Sequence, residues 1–173
     1  MTSVEAQSRA TRGVDQTNLL RIYLRDHEAA AAGGLQLVRR CWKANQGTAY
    51  APDLQRLTMD IRSDRDAFRR ICRHFDVKYS NVRRGFAVAG ATLGRLKLNG
   101  RLTSYSPLSR VIELEALSGG VMTKLRLWES LELVADDDHR LDRAALKALA
   151  AEANEQLDVL RKLHDMAAVE AFG

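Results

Sequence analysis

The sequence predicts an all-α domain built as a bundle of four long helices, and three observations carry this. Across 173 residues Ala, Leu and Arg dominate, while proline occurs twice and aromatics make up 6%. That composition favours helix over sheet. Apolar residues recur at helical spacing in four long stretches. Breakers separate these stretches, two of the gaps being short and one long. The length suffices to bury a full core without disulfides or metals.

The first 14 residues, beginning "MTSVEAQSRATRG", lack the apolar core of a signal peptide and read as a polar, disordered lead-in to a domain over 15–173. The first helix spans about 15–45, with Leu20, Tyr23, Leu24, His27, Ala31, Gly34, Val38 and Cys41 on one face. Gly47 stops it, and Pro52 suits the first turn of the next helix. That second helix, about 53–76, carries Leu54, Leu57, Ile61, Asp64, Phe68, Ile71 and Phe75 inward, with Asp64 as the polar intruder. In the long connection, Val82, Phe86, Ala89, Leu93 and Leu96 keep the spacing of a short additional helix, weakened by Gly85, Gly90 and Gly94. Ser106-Pro107 is a strong start signal, a capping serine before a first-turn proline. The third helix covers about 107–134, with Val111, Leu114, Leu117, Val121, Lys124, Trp128 and Leu131 inward. After "ADDDH", the fourth covers about 141–171 through Leu149, Glu152, Gln156, Leu160, Leu163 and Ala167.

Short loops make antiparallel neighbours, and a connection of about 30 residues is long enough to cross back along a bundle. This arrangement of helices and loops over about 15–172 resembles the ferritin-like superfamily. The resemblance implies a bundle with one crossover and, in its di-iron members, a carboxylate from each of two helices plus a Glu-x-x-His pair from each of the others. No Glu-x-x-His occurs in this sequence. Residues three before His27, His74 and His164 are Leu24, Ile71 and Arg161, and only His139 has an acid there, Asp136, within a turn. The family's metal residues therefore do not carry over.

What stands in their place follows from a depth count at about 1.5 Å per residue. His27, Glu28, Lys124 and Glu152 fall near mid-height, and Asp64 and Gln156 share a layer nearer the first turn. A lysine on the inner face neutralises the carboxylates that a metal would otherwise bind. The expectation is thus a buried polar core with no cofactor, pairing Glu28 with Lys124, with Glu152 and His27 close by. The alternative is an atypical iron or manganese site on His27, Glu28, Asp64 and Glu152, making the chain a metal-binding protein or oxidoreductase. The run Ala29 to Gly34 either leaves a cavity beside His27 or admits a neighbouring helix closely, and close packing is the favoured reading.

The formal net charge is +5. Between Val77 and Ile112 no acid occurs, whereas Lys78, Arg83, Arg84, Arg95, Lys97, Arg101 and Arg110 do. The connection is therefore expected to form a basic strip, read first as a structural strap whose arginines cap and pair within the bundle and second as a surface for an acidic protein partner. Nucleic acid is the weaker reading, because Tyr79, Phe86 and Tyr105 are too sparse for a stacking platform. A homodimer is expected only by analogy with ferritin-like bundles. Cys41 and Cys72 lack metal or redox spacing and read as buried reduced thiols, consistent with a reducing cytoplasm. No stretch approaches the roughly 20 apolar residues of a membrane span, no phosphate-binding loop is complete, and no nucleophile has a recognisable base. Composition and motifs together favour a non-catalytic interaction or accessory protein.

Overall fold

A computed structural model describes residues 3–77 and 105–173, with side chains from residue 16 onward. The described residues form four α-helices and no strand: α1 (Ser3–Ala44), α2 (Ala51–His74), α3 (Pro107–Val134) and α4 (Arg143–Phe172). The helix expected within residues 78–104 lies outside the described residues.

Local chemistry accounts for each boundary. α1 is helical from Ser3, upstream of the expected start at Asp15, over a stretch containing Glu5, Ala6, Gln7, Arg9 and Ala10 and no proline. It ends where Gly47 takes the left-handed backbone, at φ 77°. Buried Asn45 secures that end, its Nδ2 donating to the Cys41 carbonyl at 2.7 Å. Pro52 sits in the first turn of α2, where its missing N–H costs nothing. α3 begins as expected, with the Ser106 side chain accepting from the Ser109 N–H at 3.1 Å. α4 starts slightly later than expected because Asp142 caps it, accepting from the Ala145 N–H at 3.1 Å.

α1 packs against α2 and α3, and α4 packs against α3 and more lightly against α2. Named contacts give the directions. Cys41 near the end of α1 meets Glu113 near the start of α3, so these two run antiparallel. Asp64 and Phe68 of α2 meet Lys124 and Trp128 of α3 in the same order, so α2 and α3 run parallel. Phe75, just past α2, carries Arg140 of the α3–α4 turn over its ring at 4.1 Å. Tyr105, just before α3, bonds to Asn45 beside the α1–α2 turn at 3.3 Å.

The core runs along the axis through Leu24, Val38, Leu54, Leu57, Phe68, Leu114, Trp128, Leu146, Leu160 and Leu163. Six of the seven inward positions expected on α2 are buried, and Ile71 is half-buried. The small residues of α1 divide between the two readings: Ala32 and Gly33 are buried, whereas Gly34 borders open space. A Cβ built on Gly34 meets nothing within 4 Å, and the same holds for Gly119 and Gly120 opposite it. Gly34 thus borders a cavity. Gly34→Ala should therefore stabilise the fold by about 0.5–1 kcal/mol, since alanine loses less backbone entropy in a helix and meets no clash here. An unchanged or lowered unfolding midpoint in urea would contradict that geometry.

Candidate functional site

Three polar clusters and a cavity lie between the described helices. The first cluster joins α2, α3 and α4. Asp64 is 3% exposed, and a carboxylate so placed needs partners for its charge. Lys124 Nζ donates to its Oδ2 in a short contact, and Gln156 Nε2 donates to the same oxygen at 2.9 Å. Lys124 also donates to Gln156 Oε1, which closes a three-membered network across α2, α3 and α4. Burial lowers the Lys124 pKa, and the Asp64 charge pushes back against that shift.

Glu28, also 3% exposed, belongs to a separate set. Arg65 donates to its Oε1 at 2.9 Å, and Arg69 donates to the same oxygen at 3.0 and 3.2 Å. This corrects the expected Glu28–Lys124 pair. Lys124 lies one layer nearer the α1–α2 turn than the depth count put it, and the arginines of α2 take the carboxylate. Glu152 is corrected too: it is exposed and lines a polar surface groove with Asp60 and Glu155, while neighbouring Ala153 takes the buried position. His27 is half-buried, edge-on to the Tyr23 ring at 4.3 Å. Its pKa is lowered by burial, against the opposing charge of Asp26. The layer shared by Asp64 and Gln156 stands as expected.

His27, Glu28, Asp64 and Glu152 therefore do not form one constellation. Among the described residues no group of three or more His, Cys, Asp or Glu side chains is placed to hold a metal ion. Glu28 faces two guanidinium groups and Asp64 an ammonium, so each acid already has its cation.

The third cluster has no counterpart in the sequence expectations. Glu113 of α3 is 0% exposed. Cys41 Sγ and the Tyr105 hydroxyl both donate to its Oε2, at 3.1 and 3.0 Å. Arg40 Nε lies 3.0 Å from Oε1, close enough for an ion pair although its N–H is not aimed for a hydrogen bond. Burial and the Glu113 charge raise the pKa of both the Cys41 thiol and the Tyr105 phenol. Arg110, expected in the basic strip, instead turns inward beside this cluster. It bonds to Asn45 Oδ1 at 2.7 Å, pairs with Glu170 and covers the Tyr50 ring at 4.3 Å. Lys78, Arg83, Arg84, Arg95, Lys97 and Arg101 lie outside the described residues.

Both cysteines are free and buried, and burial pushes the Cys72 thiol up to about 11. Thiolate, the reactive form, is therefore scarce at neutral pH. A disulfide reagent at pH 8 should leave native protein essentially unmodified and titrate both thiols once urea unfolds it. Rapid native labelling of either cysteine would contradict the placement of both.

The cavity, of about 180 Å³, opens between α1, α2 and α3. Ala31, Gly34, Phe68, Gly120, Val121 and Trp128 supply much of its apolar wall, and His27, Arg65 and the Asp64–Lys124 pair reach its edge. No described helix is long and apolar enough to cross a membrane. No family model, curated protein or solved structure matches the chain.

Proposed function

We propose that this protein is a non-catalytic, ferritin-like helical bundle that acts as an interaction or accessory protein. Ion pairs hold its interior where di-metal members of that superfamily hold cations. The observation that carries the reading is the Asp64–Lys124–Gln156 network, in which a lysine on the inner face of α3 neutralises the central carboxylate. The parallel course of α2 and α3 supports the crossover. So do the places of Phe75 and Tyr105, beside the α3–α4 and α1–α2 turns respectively.

The reading is tested by metal loading. Protein purified without chelator, then incubated anaerobically with iron(II) or manganese(II), should retain well under one metal per chain after desalting. Retention of one or two metals per chain, lost on His27→Ala or Glu28→Gln, would make it a metalloprotein and overturn the reading.

A further inference from the structure

We infer that the outer face of the α1–α2 hairpin binds the phosphate backbone of double-stranded nucleic acid without reading its sequence, which gives the interaction role proposed above its partner. Charge is divided between the two hairpins. Residues 16–77 carry eleven arginines and lysines against seven acids, whereas residues 105–173 carry eight against thirteen. Residues 78–104 add six cations and no acid, so they bring no counter-charge to the first hairpin. The unmatched cations are on the surface. Arg39, Lys43, Arg62, Arg70 and Arg73 are exposed, and none has an ion pair or hydrogen bond among the described residues. Asp66 is the single exposed acid of α2.

Helix geometry sets these side chains along one seam. Arg65 and Arg69 of α2 reach Glu28 of α1, which marks where the two helices meet. Arg62 stands one turn before Arg65, and Arg73 one turn after Arg69. On α1, Arg39 lies eleven residues past Glu28, about three turns, with Lys43 a turn further. Their exposure puts all of them on the outward side of the seam. With 24 residues α2 is about 36 Å long, close to one turn of duplex. The chemistry favours phosphate over protein. A protein interface is anchored by a buried apolar or aromatic centre, yet Met59 is the one large apolar side chain exposed on α2. Leu19 and Ile22, exposed on α1, lie at the end away from Arg39. A second copy fits poorly, because Glu129, Glu132, Asp136, Asp158 and Glu170 of the acidic hairpin already hold arginines. Backbone binding to nucleic acid needs only cations. Single strands are held by stacking on aromatics, and no aromatic side chain described on α1 or α2 is exposed.

The test uses the whole chain and a fluorescent mixed-sequence DNA duplex of about 20 base pairs, roughly two turns, followed by anisotropy. The dissociation constant should lie between about 1 and 100 μM at about 0.1 M salt. Affinity should fall with salt at a log–log slope of about −4 to −5, the value for roughly five phosphates neutralised. Arg62→Gln, Arg70→Gln and Arg73→Gln together should flatten that slope by about 3 and weaken binding at least about tenfold, with the helical circular dichroism kept. Arg83→Gln with Arg84→Gln, in the other basic stretch, should have the smaller effect. Metal loading does not involve these side chains, so this partner and the reading of the interior can fail separately. The proposal is overturned if the duplex does not bind, if binding ignores salt, or if a single strand of the same length binds more tightly. It is also overturned if the triple variant binds like the unmodified chain while the Arg83 and Arg84 variant does not. Salt-sensitive self-association without duplex binding would assign the face to a second copy instead.

Discussion

Lys124→Met should lower the stability of the fold by about 3 kcal/mol, read from urea unfolding at neutral pH. The substitution keeps most of the side-chain volume and removes the ammonium. Asp64, 3% exposed, is then left with the Gln156 hydrogen bond in place of an ion pair. Removing one partner of a buried ion pair typically costs about 3–5 kcal/mol, because the surviving charge is stranded. The lower end applies, since the Lys124 side chain keeps 16% of its exposure. A loss under about 1 kcal/mol would mean that water reaches Asp64 and that the network contributes little.

Glu113→Ala should be nearly as costly, at about 2–3 kcal/mol. It takes the acceptor from the Cys41 thiol and the Tyr105 hydroxyl together, and an unmatched buried donor costs about 1–3 kcal/mol. Arg40 is half exposed and turns to water at little cost. Cys41 should still label far more slowly than in unfolded protein, because burial, the main cause of its raised pKa, outlasts the loss of the Glu113 charge. Unchanged stability would contradict the role assigned to Glu113.

Helix positions were more legible in the sequence than the partners of the polar side chains. α3 was readable to its first residue because Ser106-Pro107 encodes a local event, a cap followed by a fixed φ. The inner row of α2 was readable because large apolar residues mark it without ambiguity, and Asp64 inherited its burial from that row. α4 was harder. In "ALAAEANEQL" alanine occupies both faces, so the row can be read one residue off, and Glu152 was taken for the position that Ala153 holds. Glu113 escaped for the opposite reason. It lies four residues before Leu117 and so shares its buried face, while Glu115, two residues on, is exposed. Its partner Cys41 is 72 residues away, a relation that no local pattern encodes.

The polar pairings depended on vertical register between helices, which periodicity does not determine. A shift of about one turn moved Lys124 from Glu28 to Asp64, and a long flexible side chain enlarges that freedom. The cavity depended on what faces Gly34. Small residues permit either close approach or open space, and here the glycines of α3 stand opposite the glycine of α1.

The account rests on Asp64 and Lys124 acting as one unit at the bundle centre. A double-mutant cycle with Asp64→Asn, Lys124→Met and both together tests this most directly, because it isolates the term between the two side chains. Asp64→Asn keeps an acceptor for Gln156, and the double variant leaves no stranded charge. It should recover much of the loss seen in Lys124→Met, giving a coupling of at least about 1.5 kcal/mol. Single effects that simply add, within about 0.5 kcal/mol, would show two independent side chains and contradict an ion-paired core.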